Sequence, residues 1–250
     1  SPGSSAFSLH DALPIYHCKV ACRPYSWLMV GLLFLLAAVA FWNLSPDHMD
    51  RLAFDRYAIL NGEWWRLWSA HLIHFSRKHL FIDVGTLFFL SLVVARFTKL
   101  LHLLVAFLVA MPVITGLIIL LVPDLHHFRG ASAMVAMLWM VVSWYLIVES
   151  KGFNLWFVFG YLLLALLAGK IAVEYLGLMP PSPDMTRSLP PPWQVHILGR
   201  LVGLLAFNAF YQIETQQNLR KVELARPKRR KSLPMKLKDY KLPESSQRRK

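Results

Sequence analysis

Apolar residues in this chain are gathered into six long runs, without the short alternation of a half-buried strand or the single-faced stripe of a soluble helix. Uncharged or nearly uncharged stretches cover roughly 27–42, 80–95, 100–122, 131–148, 153–173 and 193–213. Each is near the ~17–25 residues that an α-helix needs to cross hydrocarbon. The first two are short, so their ends borrow interfacial residues such as Trp27 and Phe97. Lipid offers no hydrogen bonds, and each span must satisfy its own backbone groups. The pattern predicts an all-α, polytopic membrane protein with six transmembrane helices packed as one domain over residues 26–213.

Composition agrees: 56% of the 250 residues are hydrophobic and only 16% are charged, unlike a soluble domain of this length. The 27 Lys and Arg residues set the orientation. Lys19 and Arg23 precede helix 1, Arg96 and Lys99 separate helices 2 and 3, and Lys151 separates helices 4 and 5. Thirteen more follow helix 6. Six crossings put all of these on one side, so both termini are expected to be cytoplasmic, with the protein in a bacterial inner (plasma) membrane. The first loop is also basic, which weakens the rule locally; the tail decides it. An Ala38-Val39-Ala40 cleavage site would make helix 1 a signal peptide and leave the topology downstream unchanged.

The tail, 214–250, has thirteen basic and four acidic residues and almost no apolar periodicity, so disorder is expected. Its "RPKRRK" fits a nucleic-acid patch, but beside a membrane helix it fits anionic lipid better, at about 1 kcal/mol per basic residue near the surface. Anionic lipid is the expected partner, and no nucleic acid. Residues 1–25 fit no membrane or fold pattern and read as non-native or disordered. Cys18 and Cys22 lie there without the partners a metal site or disulfide framework needs.

Two outer loops stand out. "NGEWWRLWSAHLIHF", at 61–75, is aromatic and cationic, suited to the headgroup layer and expected to be partly helical. Its "HLIH" has metal-like spacing but no clear third ligand, and no metal or cofactor is expected. The last outer loop, "GLMPPSPDMTRSLPPPW", holds six prolines and should be irregular.

Polar groups within spans are costly and mark functional sites. Here they are His79 and Asp83 at the head of helix 2, Ser132 in helix 4, Glu174 near the end of helix 5, and His196 with Arg200 in helix 6. Helices 2, 4 and 6 all run inward, which brings His79, Ser132 and His196 to a similar depth. A serine becomes a nucleophile when a base takes its proton, and histidine is the usual base. N–H groups at the start of helix 4 would hold an oxyanion. His196, Gly199, Gly203 and Ala206 form a stripe on helix 6 that admits a close neighbour, with Ser132 and Ala136 as a matching strip on helix 4. H-E-x-x-H is absent, and Asp83 and Glu174 lack the surroundings of an aspartic dyad.

The order and spacing of these motifs resemble those of rhomboid intramembrane serine proteases. "GEWWRLWSAHLIHF" is similar to the family's first-loop segment with its Trp-Arg pair, here Trp65 and Arg66. "HLFID" resembles the helix-2 motif whose histidine, here His79, helps hold the oxyanion. "GASA" resembles the nucleophile motif, with Gly130 before Ser132, and "HILGRLVG" resembles H-x-x-G-x-x-x-G, with His196 as base and Gly199 and Gly203 as packing positions. The compact six-helix plan also resembles the rhombosortase branch, which processes proteins bearing a C-terminal glycine-rich sorting signal.

The resemblance implies a Ser132–His196 dyad that cleaves the membrane segment of another protein, with no carboxylate placed to orient His196. Three positions depart from the family pattern. Asp83 replaces the usual asparagine and must be either a neutral acid, able to donate to the oxyanion beside His79, or paired with a cation such as Arg200. Ala133 stands where glycine normally follows the serine. Arg200 lies one turn past the histidine, free to snorkel outward or to pair with Asp83 or Glu174. These departures keep open a rhomboid-like pseudoprotease that binds membrane clients without cutting them. A transporter would show inverted repeats or a charged path, and the sequence shows neither.

Overall fold

The computed structural model describes residues 44–150, 152–178 and 193–225. The first expected helix (27–42), most of the proline-rich loop (179–192) and the tail beyond 225 lie outside the described residues. The chain divides into two units, Ser1–Gln212 and Ile213–Lys250.

The first unit opens with short elements: α1 (Pro46–Leu52), β1 (Phe54–Asp55), α2 (Arg56–Leu60) and α3 (Arg66–Ser69). Longer helices follow: α4 (Arg77–Val94), α5 (Leu100–Leu121), α6 (Ser132–Val148), α7 (Leu155–Tyr175) and α8 (Trp193–Ala225), with β2 (His127–Phe128) between α5 and α6. Helix starts coincide with capping residues. Ser45, Asp55, Ser76 and Asn154 each accept a hydrogen bond from a first-turn N–H, of His48, Ala58, His79 and Trp156 respectively. Helices α5 and α7 are long and apolar enough to cross a membrane, and α6 is shorter and apolar.

The aromatic segment expected to be a partly helical loop, and the short elements before it, are held to α5 and the turn after it by polar contacts. β1 pairs antiparallel with β2, Phe54 opposite Phe128 and Asp55 opposite His127, and the Phe54 and Phe128 rings stack at 4.8 Å. The buried Arg56 guanidinium donates to the carbonyls of Ile118, Ile119, Val122 and Leu125, at and just beyond the end of α5, where the carbonyls are negative and short of intrahelical donors. Pro112, inside α5, has no N–H for the carbonyl four residues back. The Trp68 indole N–H donates to that carbonyl, Leu108, at 2.9 Å.

Arg66 is equally structural. It donates to the carbonyls of Asp50 and Ala53, both at 2.7 Å, and pairs with Glu63 at 2.6 Å, while Trp65 reaches the Arg51 carbonyl. The expected motif pair Trp65–Arg66 thus binds the short segments to one another.

Helix α6 is the centre of the bundle, with Ala133, Met137, Leu138 and Val141 wholly inaccessible to solvent. Its neighbours present lipid-compatible residues outward, among them Leu101, Leu108 and Leu120 of α5 and Leu162 and Leu166 of α7. The last helix runs further than expected. Residues 213–225, the only described part of the second unit, are helical to Ala225, where disorder is expected from 214 onward. The segment has no Gly or Pro and is rich in Gln, Glu, Leu, Lys and Arg, all good helix formers. The next breaker is Pro227.

Candidate active site

Ser132 opens α6, with Ala131 as its N-cap residue, and is partly exposed in an otherwise buried stretch. The turn before it depends on Gly130, whose φ of +130° suits only glycine. A Cβ there would also lie 2.7 Å from the His79 ring and 3.3 Å from Asp83 Oδ2. The backbone is fixed on both sides: the Gly130 N–H donates to the Ala70 carbonyl at 3.0 Å, and the Ala131 N–H to His74 Nε2 at 3.2 Å. First-turn N–H groups of a helix have no intrahelical acceptor, so the backbone beside Ser132 presents free donors.

Behind this turn lie three titratable side chains. Asp83 Oδ2 is 3.2 Å from His79 Nε2 and 3.4 Å from His74 Nε2, without the alignment of a hydrogen bond; His74 Nε2 already accepts from the Ala131 N–H, so His79 is the imidazole placed to interact with the Asp83 charge. Asp83 is buried and His79 partly exposed. The neighbours of Asp83 are thus imidazoles. No ion pair joins Arg200 to Asp83 or to Glu174 among the described residues, so the cation pairing considered for Arg200 does not form. His74 is a site residue that sequence reasoning passed over. Its signal was present in "HLIH", but the two histidines separate: His71 turns away to Thr115 Oγ1, at 3.0 Å, and the Met111 carbonyl. Burial holds the His71 imidazole down at about 4, so it is neutral near pH 7.

His196 lies near the start of α8 and is buried. The small-residue stripe of α8 meets α6 closely, one residue out of the expected register. A Cβ on Gly199 would lie 2.3 Å from the Ala133 carbonyl oxygen, and one on Gly203 2.4 Å from that of Met137. Ala133 and Met137, not Ser132 and Ala136, therefore sit against the glycines. Contact at Ala133 brings His196, one helical turn before Gly199, to the Ser132 end of α6. The serine and the imidazole are not hydrogen-bonded, and His196 Nε2 is buried without a partner.

On the other ring nitrogen the expectation of an unassisted histidine is corrected. Glu174 Oε2, from the last turn of α7, is 2.6 Å from His196 Nδ1. The second oxygen of Glu174 pairs with Lys170, one turn earlier on the same helix, and Lys170 Nζ is 3.2 Å from His196 Nδ1. Lys170 was not anticipated. Its signal was a charged pair spaced i, i+4 at the end of an apolar helix.

A family model described as the rhomboid domain matches residues 61–212. The chain belongs to the rhomboid family. Rhomboids are membrane proteins and generally intramembrane serine proteases, in keeping with the two apolar helices long enough to span. The matched region starts inside the first-loop segment and ends within α8 at residue 212, the end of the first unit, so all site residues named above lie within it. A comparison with curated proteins finds none that matches.

Proposed function

We propose that this rhomboid is an active intramembrane serine protease in which Ser132 is the nucleophile and His196 the general base, cleaving a transmembrane or C-terminal membrane-anchor segment of another protein. Ser132 Oγ attacks the peptide carbonyl while His196 Nε2 takes its proton, then returns it to the leaving amine. Free N–H groups at the start of α6, with His79, hold the developing oxyanion. Asp83 lies 3.2 Å from His79 Nε2 and attracts that ring by charge rather than by a hydrogen bond. No metal or cofactor takes part. Substrates carry small, helix-destabilising residues in their membrane segment, because a stable helix hides its carbonyls.

The observation that carries this reading is the buried, unpartnered Nε2 of His196 at the Ser132 end of α6. A nitrogen of this kind leaves desolvation uncompensated, and a substrate-bound serine would relieve it. The proposed topology is six membrane helices with both termini cytoplasmic, in a bacterial inner membrane, the basic tail resting on anionic lipid. Reconstitution in liposomes with a fluorogenic transmembrane substrate tests the activity. Cleavage that is lost in Ser132→Ala supports it. A folded protein that binds the segment uncleaved would assign the pseudoprotease reading.

A further inference from the structure

We infer that the proposed dyad is in fact a triad, in which Glu174 is the positioning residue for His196 and Lys170 fixes the charge of Glu174. The inference rests on the Ser132–His196 reading and specifies how its base is prepared.

Proton placement follows from distances. Glu174 Oε2 and His196 Nδ1 are 2.6 Å apart. Two lone pairs at that separation repel, so a proton lies between them. The Lys170 ammonium pairs with the other carboxylate oxygen, which favours ionised Glu174, so the proton belongs to Nδ1. Nδ1–H then donates to the carboxylate, and the lone pair of the neutral imidazole is on Nε2. That is the atom left buried and unpartnered.

The carboxylate has no other evident purpose. Glu174 is 3% exposed, and a charge inside a membrane helix is retained only where partners hold it. Lys170 alone would satisfy one oxygen; the second is occupied by the histidine. Proton uptake by Nε2 makes an imidazolium between a carboxylate and an ammonium. Glu174 attracts that cation and Lys170 repels it. The other side chains near His196 on α6 are uncharged (Ser132 and Ala133), and Arg200, one turn along α8, pairs with neither Asp83 nor Glu174.

The test is the rate of fluorophosphonate labelling at Ser132 against pH, for wild type, Glu174→Gln and Lys170→Gln in the full-length protein. Glu174→Gln removes the charge but keeps an acceptor, so the acidic limb should move to lower pH. Labelling near pH 7 should also slow by ~10²-fold or more. Lys170→Gln should move the limb to higher pH. Limbs that stay in place, or both move the same way, would overturn the triad while wild-type labelling left the Ser132–His196 reading intact. If wild type does not label, that reading falls. The ¹⁵N resonances of His196, assigned by their loss in His196→Gln, then decide the triad alone. Protonated Nδ1 with a bare Nε2 upholds it, and the opposite tautomer overturns it. Glu174→Asp, which keeps the charge at a shorter reach, serves if Glu174→Gln does not fold.

Discussion

The Trp68 indole N–H is bonded to the Leu108 carbonyl, the group that Pro112 leaves without an amide partner. A residue of the first-loop segment thereby repairs a defect in a membrane helix and ties the loop to the bundle. Trp68→Phe should lower stability in detergent by about 1 kcal/mol. In a Pro112→Ala background, where the new alanine supplies the missing N–H, the same change should cost clearly less. A double-mutant cycle from thermal unfolding measures the coupling; additive effects would mean that the bond carries no energy.

The long described helices were legible because each falls on an apolar run with few charges whose ends are marked by charges or caps, such as Ser76 before α4 and Asn154 before α7. Ser132, His196 and the glycine stripe stand out as candidates for a related reason: polar or small residues in an apolar run have few reasons to be there. Glu174 was singled out, but its partner was not. The six crossings expected from the sequence would place the last turn of helix 5 and the first turn of helix 6 at one level, so the pairing with His196 was within reach of the direction argument that aligned Ser132 with His196. Contacts such as Arg56 with the end of α5 join residues more than 60 positions apart. Nothing in local spacing announces them.

Arg56 gathers carbonyls that end α5, and a lysine cannot replace a planar five-donor group there. Arg56→Ala should destabilise by ~2 kcal/mol or more, and Arg56→Lys should recover little. Thermal unfolding in detergent, with wild-type recovery by Arg56→Lys as the contradicting result, checks this.

The helix contact at Gly199 leaves no room for a methyl. Gly199→Ala should cost about 1–3 kcal/mol by overpacking and reduce labelling of Ser132, because α8 and with it His196 must retreat from α6. Gly169, in the middle of α7, has open space around it, so Gly169→Ala should be neutral or stabilising by up to ~1 kcal/mol. Equal effects of the two changes would contradict the close contact.

His71 titrates at about 4 in the fold, held down by burial, against an ordinary value of 6.5. As pH falls, the unfolded chain takes the proton first. The neutral imidazole therefore contributes stability that is full above about pH 6.5 and is lost progressively towards about pH 4. Between about pH 7 and about pH 5 the wild type should lose more Tm than His71→Gln does. Parallel losses would show that His71 does not govern this window.

The most direct measurement of the central proposal is covalent labelling by a fluorophosphonate probe in liposomes, with the modified residue located by mass spectrometry. Wild type, Ser132→Ala and His196→Ala are compared. Labelling confined to Ser132, absent in Ser132→Ala and sharply reduced in His196→Ala, is the expected result. A folded wild type that takes no label, or labels equally well without His196, would contradict an activated serine and leave Ser132 as a packing residue at the head of α6.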